Sequence, residues 1–330
     1  MLVRFFKKNT PAMPVFIVLA ALVLWADSLF FSRSIPGGIV QPAPFFEWIM
    51  SLVSPFRLLQ IIIGFVLLLI QAFIIQYVVL NNSLLSKPSW LPGFLYVVLM
   101  SSDPALLSLN PVLLSNLFLL WAMARMLNSF AEDKVLHEVF NAGLLTAIAS
   151  LFYFPAAIFF IWVLLVLIEF FLFNLKGVIA AILGFITPFF FLLTGYFLFD
   201  KLNEGLFEKY LQREFFLIFQ QPFEFFPAIL ISIVGLLSLV AFFHLLVLYS
   251  PDKPVRIRKR FRVIFAFFII AVISVLGVTE CFHVHHGLLM MPLTIALSVL
   301  FMEMKRMWMA EVLLYLLLAL VLAGKVIYLA

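Results

Sequence analysis

The sequence predicts an all-α polytopic membrane protein. Three observations predict it. Mean hydropathy is +1.22. Hydrophobic residues make up 66% of the chain and charged residues 11%, too few to cover a soluble surface. Long apolar runs recur along all 330 residues. Backbone amides cannot go unpaired in lipid, so these runs must be helices. At about 20 residues per crossing, they predict about eleven transmembrane helices in one domain covering residues 1–330.

The chain opens "MLVRFFKKNTPAMPVFIVLAALVLWADSLFF", a basic start followed by an apolar run. No small-residue cleavage site follows, so the run is expected to stay as the first helix, Pro11–Phe31. A Gly-Pro turn then leads to "FFEWIMSLV" between Pro44 and Pro55. Its amphipathic pattern suits a short helix lying at the outer interface, with Trp48 at headgroup depth. Phe56–Leu80, Leu91–Leu109 and Pro111–Leu127 are the next spans. Ala142–Phe154 and Ala156–Phe173 look short and meet at "FYFP". Pro155 cannot continue a helix ladder, so they read as two segments, broken or re-entrant. Val178–Phe199 follows, then an outer loop over 200–226 that mixes charge and aromatics at helical spacing. Pro227–Tyr249, Val263–Val278, Leu288–Met302 and Met307–Tyr328 complete the C-terminal group, residues 227–330.

Charge orients these spans. With a cytoplasmic N-terminus, alternation puts Arg4, Lys7, Lys8, Lys87, Arg125, Lys134, Lys176, the run from Lys253 to Arg262, Lys305 and Arg306 inside. That is most of the 21 basic residues, as the positive-inside rule requires. The net charge of +5 therefore marks cytoplasmic loops and does not point to nucleic acid. A single cysteine excludes an internal disulfide.

Ionisable groups inside spans are costly and often functional. Asp27 ends the first helix, either as an interfacial carboxylate reaching water or as a functional group. Asp103 precedes Pro104 and suits an N-cap. Glu169 and Glu311 lie near cytoplasmic ends, where pairing with Lys176, Lys305 or Arg306 is expected. His244 suits an interhelical hydrogen bond.

One stretch concentrates the remaining chemistry. "ECFHVHHG" packs Glu280, Cys281, His283, His285 and His286 together, with three of the five histidines and the only cysteine. A metal site built from Cys281, His283, His285 and His286 is one reading, although the spacing matches no standard ligand pattern. A solvated loop is a second, and an imidazole patch facing a phosphate is a third. No cofactor is called for: phosphate-binding loops, dinucleotide fingerprints and nucleophile elbows are absent from the sequence.

Two long stretches carry a resemblance. "LPGFLYVVLMSSDPALLSLNPVLLSNLFLLWAMARML" followed by "NAGLLTAIASLFYFPAAIFFIWVLLVLI" resembles an uncharacterised family of polytopic membrane proteins from Bacteroidota. More distantly it resembles the membrane core of GT-C glycosyltransferases of the protein mannosyltransferase and aminoarabinose transferase group, to which "HHGLLMMPLTIALSVLF" is also similar. The resemblance implies a seven-helix module over 11–199 in a bacterial cytoplasmic (inner) membrane. It implies a polyprenyl-phosphate sugar donor at the outer face. It implies an acidic residue after the first helix as base, for which Asp27 is the match and Glu47 a weaker one. It implies a late basic position on the donor phosphate, near His285 or His286, with Arg33 and His283 as further candidates. Relatives carry a paired Asp-Glu after the first helix, whereas Ser28 follows Asp27 here.

Three functions compete. The first is a membrane glycosyltransferase. The second is a non-catalytic scaffold or lipid-binding subunit of an envelope complex, which the thin supply of catalytic groups favours. The third is a transporter, which calls for an internal repeat that the sequence lacks.

Overall fold

The computed structural model describes residues 2–7, 10–30, 43–128, 135–169, 174–200, 235–249, 251–277 and 282–329. All regular structure among them is helical. In chain order the helices are α1 (Leu2–Phe6), α2 (Met13–Phe30), α3 (Pro44–Val53), α4 (Arg57–Asn81), α5 (Leu91–Met100), α6 (Pro111–Asn128) and α7 (Val135–Phe152). There follow α8 (Phe159–Glu169), α9 (Leu175–Leu198), α10 (Gly235–Val247), α11 (Val255–Gly277), α12 (Phe282–His285), α13 (Met290–Glu303) and α14 (Met307–Leu329). Among the described residues six helices, α4, α6, α7, α9, α11 and α14, are long and apolar enough to cross a membrane. The molecule is therefore an all-helical protein of multi-pass membrane type.

Two of the shorter apolar helices are the most deeply placed. Every residue of α5 is buried, as is every residue of α13 up to Met302. A helix apolar all round belongs in the interior, and these two pack against each other. The longer α9 turns Phe190, Phe191 and Phe197 outward. With lipid as solvent, this inversion costs nothing.

Close backbone approach locks α7 to α9. A methyl group on Gly143 would lie 2.5 Å from the Ala181 carbonyl oxygen, and one on Gly184 would collide with that of Phe140. Small residues permit this contact, which substitutes for a hydrophobic driving force that lipid does not supply.

Several boundaries differ from those expected: α11 begins at Val255, not Val263, and α8 is shorter, Phe159–Glu169. The fifth helix begins at Val135, not Ala142, because Glu138 is buried in its first turn beside Arg125 and so continues the helix past the apolar run. The third span ends at Met100. Asp103 then caps a 3₁₀ turn, Pro104–Leu106, its Oδ1 accepting from Ala105 N at 2.8 Å, which is the expected cap. Pro155 opens a second 3₁₀ turn, Phe154–Ile158, between α7 and α8, so this region is two helices with a hinge.

Polar contacts tie the helix ends into two groups. At the first end Lys7 Nζ donates to Met302 O at 3.0 Å and Ser89 Oγ to Phe6 O at 3.0 Å. Arg260 donates to Asn82 O at 2.7 Å and to Leu127 O at 3.3 Å. The acids of this end are used differently from expectation. Glu169 pairs with Arg262 at 2.5 Å. Glu311 accepts from the backbone amides of Val3 and Arg4, at 3.2 and 3.1 Å, so it anchors α1 to α14. Arg125, Arg260, Arg262 and Lys7 all belong to this basic end. The other end holds α3, the bend after α5, the hinge after α7 and α12.

Candidate functional site

The site is built at this second end, starting from Asp27. The last turns of α2 bring it against α14, where Lys325 Nζ lies 3.0 Å from Asp27 Oδ1 and also donates to the Leu24 carbonyl. The lysine side chain is 8% exposed and the aspartate 22%. A partly buried carboxylate is costly without an opposite charge, and Lys325 supplies one. Two residues earlier Trp25 is fully buried, with its indole N–H on Ser101 Oγ at 3.2 Å. The first and last long helices thus meet at the bend after α5.

The histidine segment also packs against that bend. The segment is helical, as α12 followed by a 3₁₀ turn, His286–Leu288, and α12 packs on the Pro104–Leu106 turn. His285 is fully buried. Tyr153 Oη lies 2.5 Å from its Nδ1 and Ser274 Oγ 2.9 Å from its Nε2. A neutral imidazole donates to one hydroxyl and accepts from the other. Burial, reinforced by the neighbouring His286, pushes the imidazole down to about 3, against the opposing bond from Ser274. His285 is therefore neutral near pH 7, and it joins α7, α11 and α12. His286 is also buried, 2% exposed. Next to it the Gly287 carbonyl accepts from Asn116 Nδ2 at 3.0 Å, and Gly287 itself packs against Leu106 and Val112.

Farther inside, Gln71 donates to Leu113 O at 2.7 Å and accepts from Tyr96 Oη. Gln71, Tyr96 and Asn116 are each 0% exposed. Together they make a polar seam through α4, α5 and α6.

Helix α3 closes the end. Phe46 and Val53 join Leu109, Leu114 and Phe152 in a small core, while Trp48 and Leu52 face outward. Glu47 is half-buried in the first turn of α3, where the positive end of the helix dipole favours a carboxylate.

Of the candidates from sequence, the structure brings the helix of Asp27, through Trp25, and the segment of His285 and His286 each against the bend over 101–110. Asp27 is paired with Lys325, and His285 is held by hydroxyls of the protein. Arg33, Glu280 and Cys281 lie outside the described residues, and so does the side chain of His283. Among the described residues no group of three or more metal-ligating side chains forms. Lys325, Tyr153, Ser274 and Asn116 did not stand out in the sequence. A lysine inside the last apolar run was the one signal available, because a charge there needs a partner.

Residues 24–329 match the family of unknown function DUF6427, and the chain belongs to that family. No curated protein and no solved structure matches it.

Proposed function

We propose that this member of a family without an assigned function is a GT-C-like membrane glycosyltransferase. It would use a polyprenyl-phosphate-linked sugar at the outer face of the bacterial cytoplasmic membrane. The observation that carries the reading is the Asp27–Lys325 pair, a carboxylate and an amine 3.0 Å apart at the end away from the basic cluster. In this reading the basic end is cytoplasmic, as is the N-terminus. The six long helices, with α2, α5, α8, α10 and α13 as shorter crossings, make eleven spans.

The acceptor hydroxyl oxygen attacks the anomeric carbon of the donor. The bond from that carbon to the phosphate oxygen breaks, and the polyprenyl phosphate leaves with the electron pair. Asp27 takes the hydroxyl proton, as a general base. Lys325 positions the carboxylate. Arg33 and His286 are the candidates for the charge left on the phosphate. His285 is a positioning residue that holds the α12 corner, since both ring nitrogens are engaged within the protein. Glu47 remains a secondary acid in the first turn of α3.

The test is Asp27→Asn assayed for glycan transfer in cells lacking the native copy. Transfer should be lost with the protein still present in the membrane fraction. Normal transfer with Asp27→Asn would sink the assignment. A second reading, a non-catalytic envelope subunit, is favoured by the fact that Asp27 and His285 each already have partners inside the fold, Lys325 for the first and Tyr153 with Ser274 for the second. It predicts stable co-purifying proteins and no lipid-linked sugar by mass spectrometry.

A further inference from the structure

The basic end carries a feature that the proposed transferase does not use. A groove of about 600 Å³ opens between α4, α6 and α7. Its apolar part is walled by Ile74, Leu117 and Phe118, and its polar end by Arg125, Asn128 and Glu138. Tyr77 and Trp121 also line it and are 60% and 48% exposed, so it opens sideways, toward lipid. The long axis runs from mid-helix to the basic end, the direction of a lipid in a bilayer leaflet.

The hydrogen bonds at the polar end are not completed among the described residues. Arg125 stacks over Trp121, 6.0 Å from the ring centroid, and uses Nη1 on Glu138 Oε1 at 3.5 Å. Its remaining donors have no partner among the described residues, and the side chain is 40% exposed. Glu138 is the reverse case, with its side chain 7% exposed. Its Oε1 has Arg125 and His137, but its Oε2 has no hydrogen-bond partner among the described residues. A buried carboxylate oxygen without a donor is costly. An exposed arginine fork matches phosphate.

We propose that this groove binds a phospholipid with a primary-amine headgroup, of the phosphatidylethanolamine type. One acyl chain lies along Ile74, Leu117 and Phe118. The phosphate takes the free donors of Arg125, and the ammonium donates to Glu138. Charge complementarity selects this occupant. A purely anionic lipid brings no positive charge to the Glu138 carboxylate, and a choline headgroup has no N–H to donate.

The full-length protein in detergent, titrated with phosphatidylethanolamine, phosphatidylcholine and phosphatidylglycerol of identical chains, tests this by native mass spectrometry. The wild type should hold phosphatidylethanolamine about tenfold more strongly than the other two, the scale of one charge-assisted bond. Glu138→Gln should bring it to the level of phosphatidylcholine, whereas Arg125→Gln and the groove-filling Leu117→Trp should weaken all three. Equal or stronger binding of phosphatidylglycerol by the wild type would overturn the proposal. So would an unchanged preference in Glu138→Gln, or a dimer of the chain in place of a lipid adduct. If Glu138→Gln fails to fold, the order of the three lipids on the wild type decides alone. The groove lies at the end opposite Asp27, so loss of transfer activity has no bearing on this outcome.

Discussion

His285 shows how much a single side chain changes meaning with its surroundings. In the sequence it belongs to a polar cluster with three competing readings. In the fold it is a buried neutral imidazole between Tyr153 and Ser274. Its value near 3 lies below the ordinary 6.5, so the unfolded chain binds a proton where the folded chain does not. Stability is then unaffected above about pH 6.5 and falls as pH drops from there toward about 3, by up to about 1.4 kcal/mol per pH unit. His285→Gln, which keeps one donor and one acceptor, should flatten that part of the curve in detergent-solubilised protein. A melting temperature with the same acid dependence in variant and wild type would show that His285 does not report its burial.

At the scale of elements, two contacts hold helices that lie far apart in the chain. Lys325 and Asp27 join α14 to α2. Removing one partner leaves a poorly solvated charge, so Lys325→Met should destabilise by about 3 kcal/mol. The double change Asp27→Asn with Lys325→Met should cost less than the sum of the two, because no orphan charge remains. Denaturation of the four proteins of that cycle measures the coupling, and strict additivity would mean that the pair is not formed. The α7–α9 crossing makes a different demand. Gly184→Leu puts a side chain where the Phe140 carbonyl stands, so the helices must separate. The expected result is loss of folded protein at normal expression temperature, read by size-exclusion chromatography. The exposed Leu183→Ala beside it is expected to be nearly silent.

For the molecule as a whole, the sorting of charge is the feature with most consequence. Lys7, Arg125, Arg260 and Arg262 are drawn to one end by contacts between segments remote in sequence. The proposed orientation places that end in the cytoplasm and α3 outside. In a variant with Cys281 replaced by Ser, a cysteine at Ser51 should react with an impermeant thiol reagent in intact cells. A cysteine at Lys259 should react only after lysis. The reverse pattern would invert the topology and remove the outer-face transferase with it.

Much of this was legible in the sequence because lipid makes local rules decisive. An apolar run must be a helix, so the helical class followed from hydropathy alone. The Asp103 cap and the proline-bounded α3 are also local, each set by residues within a few positions. The helix of Val135–Phe152 was legible only in part, since Glu138 looks like a boundary until Arg125 comes beside it. The site was less legible still. Asp27 could be picked out as a costly carboxylate, but its partner lies 298 residues away on the last helix. His285 could be picked out as unusual, but its burial is set by the packing around it, and its partners Tyr153 and Ser274 are ordinary residues of apolar stretches. The sequence by itself determined the helices and the sorting of charge, because both follow from transfer between water and lipid. The tertiary structure alone decided which polar groups meet, because pairing depends on which helices pack side by side.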